Sequence, residues 1–295
     1  MAEAVDPPFA RPDAGFNDLP GWSWVGCYGG YYLQADLLAG FEHGFFSRQW
    51  QGRGPDVLAG YVSAGVSVHR PQQVHSARVL PASCATGEPW PEADGLVSDG
   101  GGQSLWVCGA DCTPVLLADP VRGAVAACHA GWRGVAGRIL PEAISQLEAS
   151  GSRRCDLLVA LGPAVSGAHY QVERRVTEQV AMALDAADAA AGAAADAAAG
   201  AGAALAELAA CGALLDDPVP GRDRLDLRAA CRRQLEKAGV PAAQISLCPL
   251  CTVAEPLLFH SWRRDQVKAV QWSGIVSQQA DLAEPVAVSL ETDPG

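Results

Sequence analysis

Three residues in the first half of the chain have side chains that commonly bind metal ions. His75, Cys112 and His129 are widely separated along the sequence, so only a tertiary fold can assemble them. A sulfur ligand with two imidazoles suits zinc or copper. Three protein ligands leave a coordination position for water or substrate, which is typical of a catalytic site. The alternative is a buried free thiol with two hydrogen-bonded core histidines.

The segment at 105–134 must position two of these residues. It contains an apolar run that ends in Cys112, a turn around Asp119, and a second apolar run that ends in His129. A turn rich in Gly, Trp and Arg then leads into a predicted helix. Two apolar runs that stop at a cysteine and a histidine can deliver both side chains to one edge of a sheet.

Buried strands and amphipathic helices are predicted around this segment. Near-continuous apolar runs indicate strands that helices cover on both faces. These runs lie at 104–108, 115–118, 124–128 and 156–161. Apolar residues at helical spacing predict helices near 135–147, 172–184 and 226–239. We therefore expect an α/β protein, built as a layered α/β/α single domain with a mixed sheet and the site at strand ends. A strand at 61–68 is expected to lead toward His75.

The domain organisation is predicted from shifts in composition. We expect a flexible N-terminal arm at 1–20, a catalytic domain at 21–278 and an acidic tail at 279–295. Inside the domain, an Ala-rich, low-complexity insert at about 185–213 lacks large apolar groups that could anchor it. We expect this insert to be a solvated, mobile excursion with no catalytic part.

Composition and charge narrow the class of function. With 49% hydrophobic and 18% charged residues, the 295-residue chain can bury a substantial core. A formal charge of −12 argues against nucleic acid as a partner, since phosphate binding needs clustered Lys and Arg. No apolar run approaches the ~20 residues that span a bilayer. The opening residues lack a basic and apolar leader, so we expect a cytoplasmic protein, or an organellar one if a transit peptide has been removed.

Six motifs occur in order along the chain. They are QVH at 73–75, ADGLVSD at 93–99, ADCTPVLLAD at 110–119, HAGWRG at 129–134, LGPAVSGAHYQV at 161–172 and FHSWRRD at 259–265. In this combination the chain resembles the laccase-domain family, whose members have been labelled polyphenol oxidase, purine nucleoside phosphorylase and peptidoglycan editing factor. The resemblance implies that His75, Cys112 and His129 bind zinc, with copper as the alternative.

The resemblance also implies small-molecule substrates, namely purine nucleosides and phosphate. The implied reactions are phosphorolysis of adenosine, inosine, guanosine and methylthioadenosine, and deamination of adenosine. The usual zinc deaminase signature, HxE with PCxxC, is absent, so a general acid or base must come from elsewhere. Asp111, adjacent to the metal thiolate, is our candidate, and the alternative is a structural capping carboxylate.

Phosphorolysis further needs a pocket for an anion. Arg133 is the leading candidate, because a guanidinium binds phosphate oxygens bidentately. Arg48, Arg263 and Arg264 are lesser candidates. Family members often carry a Gly-Gly pair after the arginine of the HGFFSRQ segment, where this chain has Gln49 and Trp50. Because of this difference, two roles for Arg48 remain: it faces the substrate, or it is an ordinary surface arginine.

Other readings of the same residues remain. A copper-dependent polyphenol oxidase needs several coppers, but only three of the six histidines remain after the proposed ligands. A cysteine-type amidase that edits peptidoglycan precursors would use Cys112 as nucleophile and His129 as base. A non-enzymatic binding module is the third alternative. The CxxC pair at 248–251 has no second pair at zinc-ribbon spacing.

Overall fold

Two six-stranded sheets lie face to face at the centre of the protein. The computed structural model describes residues 18–185 and 197–278. The strands of this part are β1 (Trp22–Cys27), β2 (Gly30–Ala35), β3 (His43–Phe46), β4 (Ser67–His69), β5 (Val79–Pro81), β6 (Gly95–Val97), β7 (Gln103–Gly109), β8 (Thr113–Ala118), β9 (Val125–Ala130), β10 (Leu158–Leu161), β11 (Gln171–Glu173), β12 (Leu214–Leu215), β13 (Arg222–Leu225), β14 (Ile245–Leu247) and β15 (Gln271–Val276). The first sheet has the order β1-β2-β3-β15-β7-β4 and the second the order β14-β10-β8-β9-β6-β5, while β11, β13 and β12 form a small third sheet.

Helices cover the outer faces of the two large sheets. They are α1 (Pro55–Val62), α2 (Trp132–Ala136), α3 (Ile139–Ala149), α4 (Arg174–Asp185), α5 (Ala197–Ala210), α6 (Leu227–Lys237) and α7 (Trp262–Asp265). Residues of α3, α4 and α6 pack on the second sheet, and α1 packs on the first. No helix within the described ranges is long and apolar enough to cross a membrane.

Side chains alternate between the two faces of each central strand. In β8, Val115 and Leu117 pack under the helices, while Leu116 and Ala118 face the first sheet. In β7, Leu105 and Val107 meet the second sheet, and Trp106 points to the opposite face, toward α1. This period-two alternation lets two adjacent apolar layers share one strand. The strands therefore read as continuous apolar runs.

The predicted α/β class with mixed strand directions is confirmed. Both large sheets contain parallel and antiparallel pairs, such as β4 with β7 and β8 with β9. The layers differ from the expected α/β/α arrangement, because the second face of the buried strands is covered by another sheet instead of by helices. An apolar run indicates that both faces of a strand are buried. It does not indicate whether a helix or a second sheet covers each face.

Two local predictions were wrong. Residues 61–68 do not form one strand, since α1 ends at Val62 and β4 begins only at Ser67. His75 accordingly lies in a loop between strands. In addition, the helix predicted near 135–147 is two helices, because Arg138 adopts a left-handed conformation with φ +66° between α2 and α3.

The Ala-rich insert is only partly the solvated excursion that was expected. Residues 186–196 lie outside the described residues, but α5 packs against the core with Ala204 and Leu208 fully buried. Alanine's high helix propensity and this four-residue spacing of buried groups explain the packing. Glu207 also forms ion pairs with Arg233 at 2.7 Å and Lys237 at 2.9 Å.

The two ends of the chain are described only in part. Residues 1–17 of the predicted arm and the whole predicted tail at 279–295 lie outside the described residues. Leu19 falls within the predicted arm, yet it is buried and forms a β-bridge with Trp22. The packed chain therefore begins before residue 20.

Candidate metal centre

The fold brings His75, Cys112 and His129 together. Their ligand atoms all lie within 4.8 Å of one another. Small side-chain rotations would let one zinc or copper ion bind all three. The residues therefore fit the metal ion that a sulfur and two imidazole ligands imply. The imidazole rings of His75 and His129 meet edge to face with centroids 4.9 Å apart. In the part of the chain that the structure describes, this is the one group of at least three His, Cys, Asp or Glu side chains with metal-binding geometry.

Each ligand comes from a different kind of element. His129 lies near the end of β9, while Cys112 lies in the turn where the chain crosses from β7 in the first sheet to β8 in the second. The β8–β9 register pairs Pro114 with His129, which places Cys112 beside Gly131. His75 has φ +59°, a left-handed conformation that is uncommon for a residue with a side chain.

Glycines make this close assembly possible. A Cβ atom on Gly131 would lie 3.0 Å from Cys112 Sγ and 3.3 Å from His75 Cδ2. A Cβ atom on Gly109 would lie 2.8 Å from the backbone oxygen of Cys112. Side chains at these two positions would therefore push the ligands apart.

Asp94 is a residue of the candidate site that the sequence analysis missed. Its carboxylate is fully buried, and Oδ1 accepts hydrogen bonds from His129 Nδ1 and from the backbone N–H of His75, both at 2.9 Å. Oδ2 accepts from the N–H of Ser76 at 2.6 Å and from its hydroxyl at 2.8 Å. The backbone oxygen of Asp94 also accepts from the His129 N–H at 2.7 Å.

This arrangement sets the tautomer of His129. Because a carboxylate only accepts hydrogen bonds, Nδ1 of His129 carries the proton and Nε2 is left for a metal. Burial alone would lower the pKa of His129, but Asp94 and Cys112 outweigh it and raise that pKa to about 9. Burial would raise the pKa of Asp94, but hydrogen bonds from His129 and Ser76 lower it to about 2.

Cys112 is favoured as a thiolate in the metal-free protein. Burial raises the pKa of its thiol, but the hydrogen bonds and charges of His129 and His75 outweigh that effect and lower the pKa to about 6. A thiolate is the form of cysteine that binds metals and acts as a nucleophile. Cys128, buried one residue before His129, shows the opposite case, because burial raises its pKa to about 12.

A cavity of about 640 Å³ opens from the metal ligands, a size suited to a nucleoside-sized molecule. Three aromatic side chains contribute to its wall, namely Trp132, Tyr170 and Trp262. The other lining residues are His75, Ala110, Asp111, Cys112, Arg133, Val165, Leu227, Arg263, Val267, Lys268, Ala269 and Val270. The wall is thus largely apolar, with a few charged groups.

Two of the predicted arginines lie in this cavity and stack on its aromatic residues. The guanidinium carbon of Arg133 is 4.4 Å from the ring centroid of Trp132, and that of Arg263 is 4.5 Å from that of Tyr170. No carboxylate of a described residue pairs with Arg133, so its guanidinium forms no salt bridge within this part of the chain. Lys268 is a third cationic group in the cavity, and the sequence analysis overlooked it.

The other two arginines are not in the cavity. Arg48 donates from Nη1 to the backbone oxygen of Pro256 at 2.5 Å. Arg264 donates to the carbonyls of residues 252, 253 and 259 and pairs with Asp265 at 2.6 Å. Both guanidinium groups are therefore used to hold the loop that precedes α7.

The chain also matches a known protein family. Residues 57–277 match the family model described as multi-copper polyphenol oxidoreductase laccase. The chain belongs to this laccase family. The match spans all three candidate metal ligands, Asp94 and the cavity-lining arginines.

Relatives within the laccase family carry a different functional name. The chain is 38% identical over 262 residues to a purine nucleoside phosphorylase from Synechocystis, covering 87% of this chain and 97% of that protein. It is 39% identical over 195 residues to one from Streptomyces coelicolor, covering 66% and 68%. The crystal structure of YlmD from Geobacillus stearothermophilus aligns with a TM-score of 0.68 and 26% identity, covering 84% of this chain and 96% of that one.

The remaining histidines of this laccase-family chain do not provide a second metal group within the described residues. His43 is buried, and its ring nitrogens contact the Phe41 oxygen at 2.8 Å and the Ala35 N–H at 2.9 Å. His69 is buried between the Ala82 oxygen and the Ser67 hydroxyl, each at 2.7 Å. Multi-copper chemistry needs more ligands than one His-Cys-His group supplies.

Proposed function

We propose that this chain is a zinc-dependent purine nucleoside phosphorylase. The observation that carries the proposal is a His-Cys-His group that opens into a cavity with both aromatic and cationic walls. The names of the relatives support the same substrate class. Zinc is favoured over copper because three ligands with an open position suit a catalytic zinc ion and too few histidines remain for a multi-copper oxidase.

Each part of the cavity has a task in this reaction. Phosphorolysis breaks the bond between the base and C1′ of the ribose, forms a bond from phosphate oxygen to C1′, and returns a proton to the base. Trp132, Tyr170 and Trp262 offer flat surfaces for a purine. Arg133 and Arg263 stack on aromatic rings, and Arg263 also donates from Nη1 to the backbone oxygen of Gln171 at 2.9 Å. The guanidinium N–H groups that remain, foremost those of Arg133, would bind phosphate.

His75, Cys112 and His129 would hold the zinc ion. Bound zinc supplies a Lewis acid, which polarises a ligand and lowers the pKa of a bound water toward ~7. Asp94 orients His129 and the loop of His75 toward that ion. We extend the proposal to deamination of adenosine, in which water replaces the amino group, and to methylthioadenosine, whose apolar 5′ group suits the wall formed by Val165, Leu227 and Val267.

Metal analysis followed by a substrate panel tests the proposal. Purified protein should contain one zinc ion per chain and should release hypoxanthine from inosine only when phosphate is present, with ribose 1-phosphate as the second product. Removal of zinc by a chelator should abolish the activity, and zinc should restore it. Release of hypoxanthine that does not depend on phosphate would contradict the phosphorylase.

A cysteine-type amidase is the second candidate, and one observation favours it. Asp94, His129 and Cys112 form a chain in which the carboxylate contacts the imidazole and the imidazole neighbours a thiol with a lowered pKa. Cysteine nucleophiles are activated in this way. Full hydrolysis of an amide-containing peptidoglycan precursor by metal-free protein, with no phosphorolysis of inosine, would establish it in place of the phosphorylase.

A further inference from the structure

Asp111, next to Cys112, is hydrogen-bonded to three other segments of the chain. Its Oδ1 accepts a hydrogen bond from the Thr252 hydroxyl at 2.6 Å, and its Oδ2 accepts from the backbone N–H of Arg263 at 2.9 Å. The backbone oxygen of Asp111 accepts from the Val165 N–H at 3.1 Å. Both carboxylate oxygens are therefore directed at protein donors.

The helix that Asp111 holds is too short to position itself. α7 has only four residues, and a single helical turn is unstable without tertiary contacts. Its first turn is held by the Ser261 hydroxyl, which accepts from the Arg264 N–H at 3.1 Å, and by Asp111. α7 carries Trp262 and Arg263, and both line the cavity.

Asp111 thus connects the turn that carries a metal ligand with the wall that faces it. On its other side, the Asp111 carboxylate is anchored by the hydrogen bond from the Thr252 hydroxyl. Thr252 is buried and does not line the cavity. Arg264 reinforces it by donating to the Thr252 oxygen at 2.7 Å. Loss of the carboxylate would loosen the first turn of α7, which then keeps only the longer hydrogen bond from the Trp262 N–H to the Ala110 oxygen at 3.4 Å as a backbone link to this turn. Cys112, His75 and His129 would stay in place.

We infer that Asp111 is a positioning residue, which sets the distance between the metal centre and the Trp262–Arg263 wall so that nucleoside and phosphate bound there meet the metal. This inference rests on the proposed function for its kinetic consequences. It replaces the role of general acid or base, which would require a carboxylate oxygen free to exchange a proton with substrate.

Two variants separate positioning from proton transfer. Asp111→Asn keeps the size but removes the negative charge, so both charge-assisted hydrogen bonds are lost. The Arg263 N–H is left with a neutral amide oxygen, and the Thr252 hydroxyl must accept from the amide NH2 group. Thr252→Val removes the Oδ1 partner without touching the cavity. Both should raise KM for inosine and phosphate about tenfold, as expected for a lost charge-assisted hydrogen bond, with kcat changed less than about threefold. Zinc content should stay at one per chain.

Hydrogen exchange at the Arg263 amide gives a readout independent of activity. Exchange should be faster in Asp111→Asn and Thr252→Val, and unchanged in the control Asp265→Asn, which removes an acid of the same helix that pairs with Arg264. If the natural protein shows no phosphorolysis, the proposed function fails, and this exchange measurement alone still decides the positioning role.

Two outcomes would overturn the inference. One is unchanged exchange at Arg263 in both variants. The other is a loss of kcat by more than about a hundredfold in Asp111→Asn with KM unaltered and Thr252→Val behaving like the natural protein, which would make Asp111 an acid or base.

Discussion

Nδ1 of His129 lies 2.9 Å from Oδ1 of the buried Asp94. The same oxygen accepts a hydrogen bond from the backbone N–H of His75, the residue in a left-handed conformation. One carboxylate therefore orients two of the three candidate metal ligands, although they lie on separate segments of the chain. Partners of this kind determine the ring orientation and basicity of a metal-binding histidine.

Replacement of Asp94 should weaken metal binding. In Asp94→Asn, the side chain can no longer accept from all its donors, so His129 loses a defined tautomer. We expect zinc affinity to fall about 10–100-fold, measured by competition with a chromophoric chelator. Asp99→Asn is the matched control, because this acid of the same motif binds Ser83 and Gln103 away from the metal ligands. Equal zinc affinity in both variants would contradict the role given to Asp94.

Arg133 should govern affinity for phosphate. Arg133→Ala removes a cavity guanidinium that has no described carboxylate partner, so KM for phosphate should rise about 10–100-fold while KM for inosine changes far less. Steady-state kinetics with each substrate varied in turn will measure the split. Arg48→Ala serves as the control, since its guanidinium contacts Pro256 outside the cavity. An unaltered phosphate dependence in Arg133→Ala would remove this residue from the site.

Gly131 should be required for metal binding. In Gly131→Ala, the new methyl group would lie 3.0 Å from Cys112 Sγ and push it away from His75. We expect zinc content after dialysis to drop well below one per chain, with little change in the circular dichroism spectrum. Gly40→Ala provides the comparison, because a Cβ there meets nothing within 4 Å. Retention of zinc in Gly131→Ala would show that the turn can adjust.

Glu207 should make the stability of the protein depend on pH. Burial raises its pKa, but Lys237 and Arg233 outweigh it and lower the pKa below its ordinary value. A carboxylate with a lowered folded-state pKa stabilises the fold above its unfolded pKa, and this contribution disappears as pH falls through the folded pKa.

Glu207→Gln should therefore reduce the free energy of unfolding by about 0.5–1 kcal/mol at pH 7, and by progressively less as pH falls below the ordinary glutamate pKa of ~4.3, in urea titrations at pH 7 and at acidic pH. Glu142→Gln is the control, because the carboxylate of Glu142 accepts a hydrogen bond from the neutral Gln146 in its own helix and forms no ion pair with another described residue. A difference of the same size at both pH values would mean that packing of α5, and not charge, accounts for the effect.

Much of the local structure could be predicted from the sequence. The strands expected at 104–108 and 124–128 are β7 and β9. The helix expected near 226–239 is α6, whose N-cap Asp226 accepts from the N–H groups of Arg228 and Ala229. Such features depend on residues that are close in sequence, so they can be predicted from the spacing of apolar residues and from capping residues. The choice of His75, Cys112 and His129 as a group rested on motifs, and the fold brings them within 4.8 Å.

Other features depended on contacts between remote segments. Glu207 of α5 pairs with Arg233 and Lys237 of α6, and alanine content alone does not indicate these contacts. The sequence ranks Arg133 above Arg48 as an anion ligand but does not show the neighbours of either residue. In the structure, Arg133 stacks on an aromatic ring in the cavity, and Arg48 donates to a backbone carbonyl outside it.

The sequence by itself therefore determined which side chains can bind a metal and which runs form buried strands. Only the tertiary structure decided that a second sheet covers those strands, that Asp94 holds two ligands, and that Asp111 is bound to Thr252 and Arg263. The physical reason is that periodicity and residue type indicate which side chains are buried and which can bind a polar partner. The identity of its partner is set by how distant segments pack, and a hydrogen bond between residues far apart in the chain leaves no local pattern.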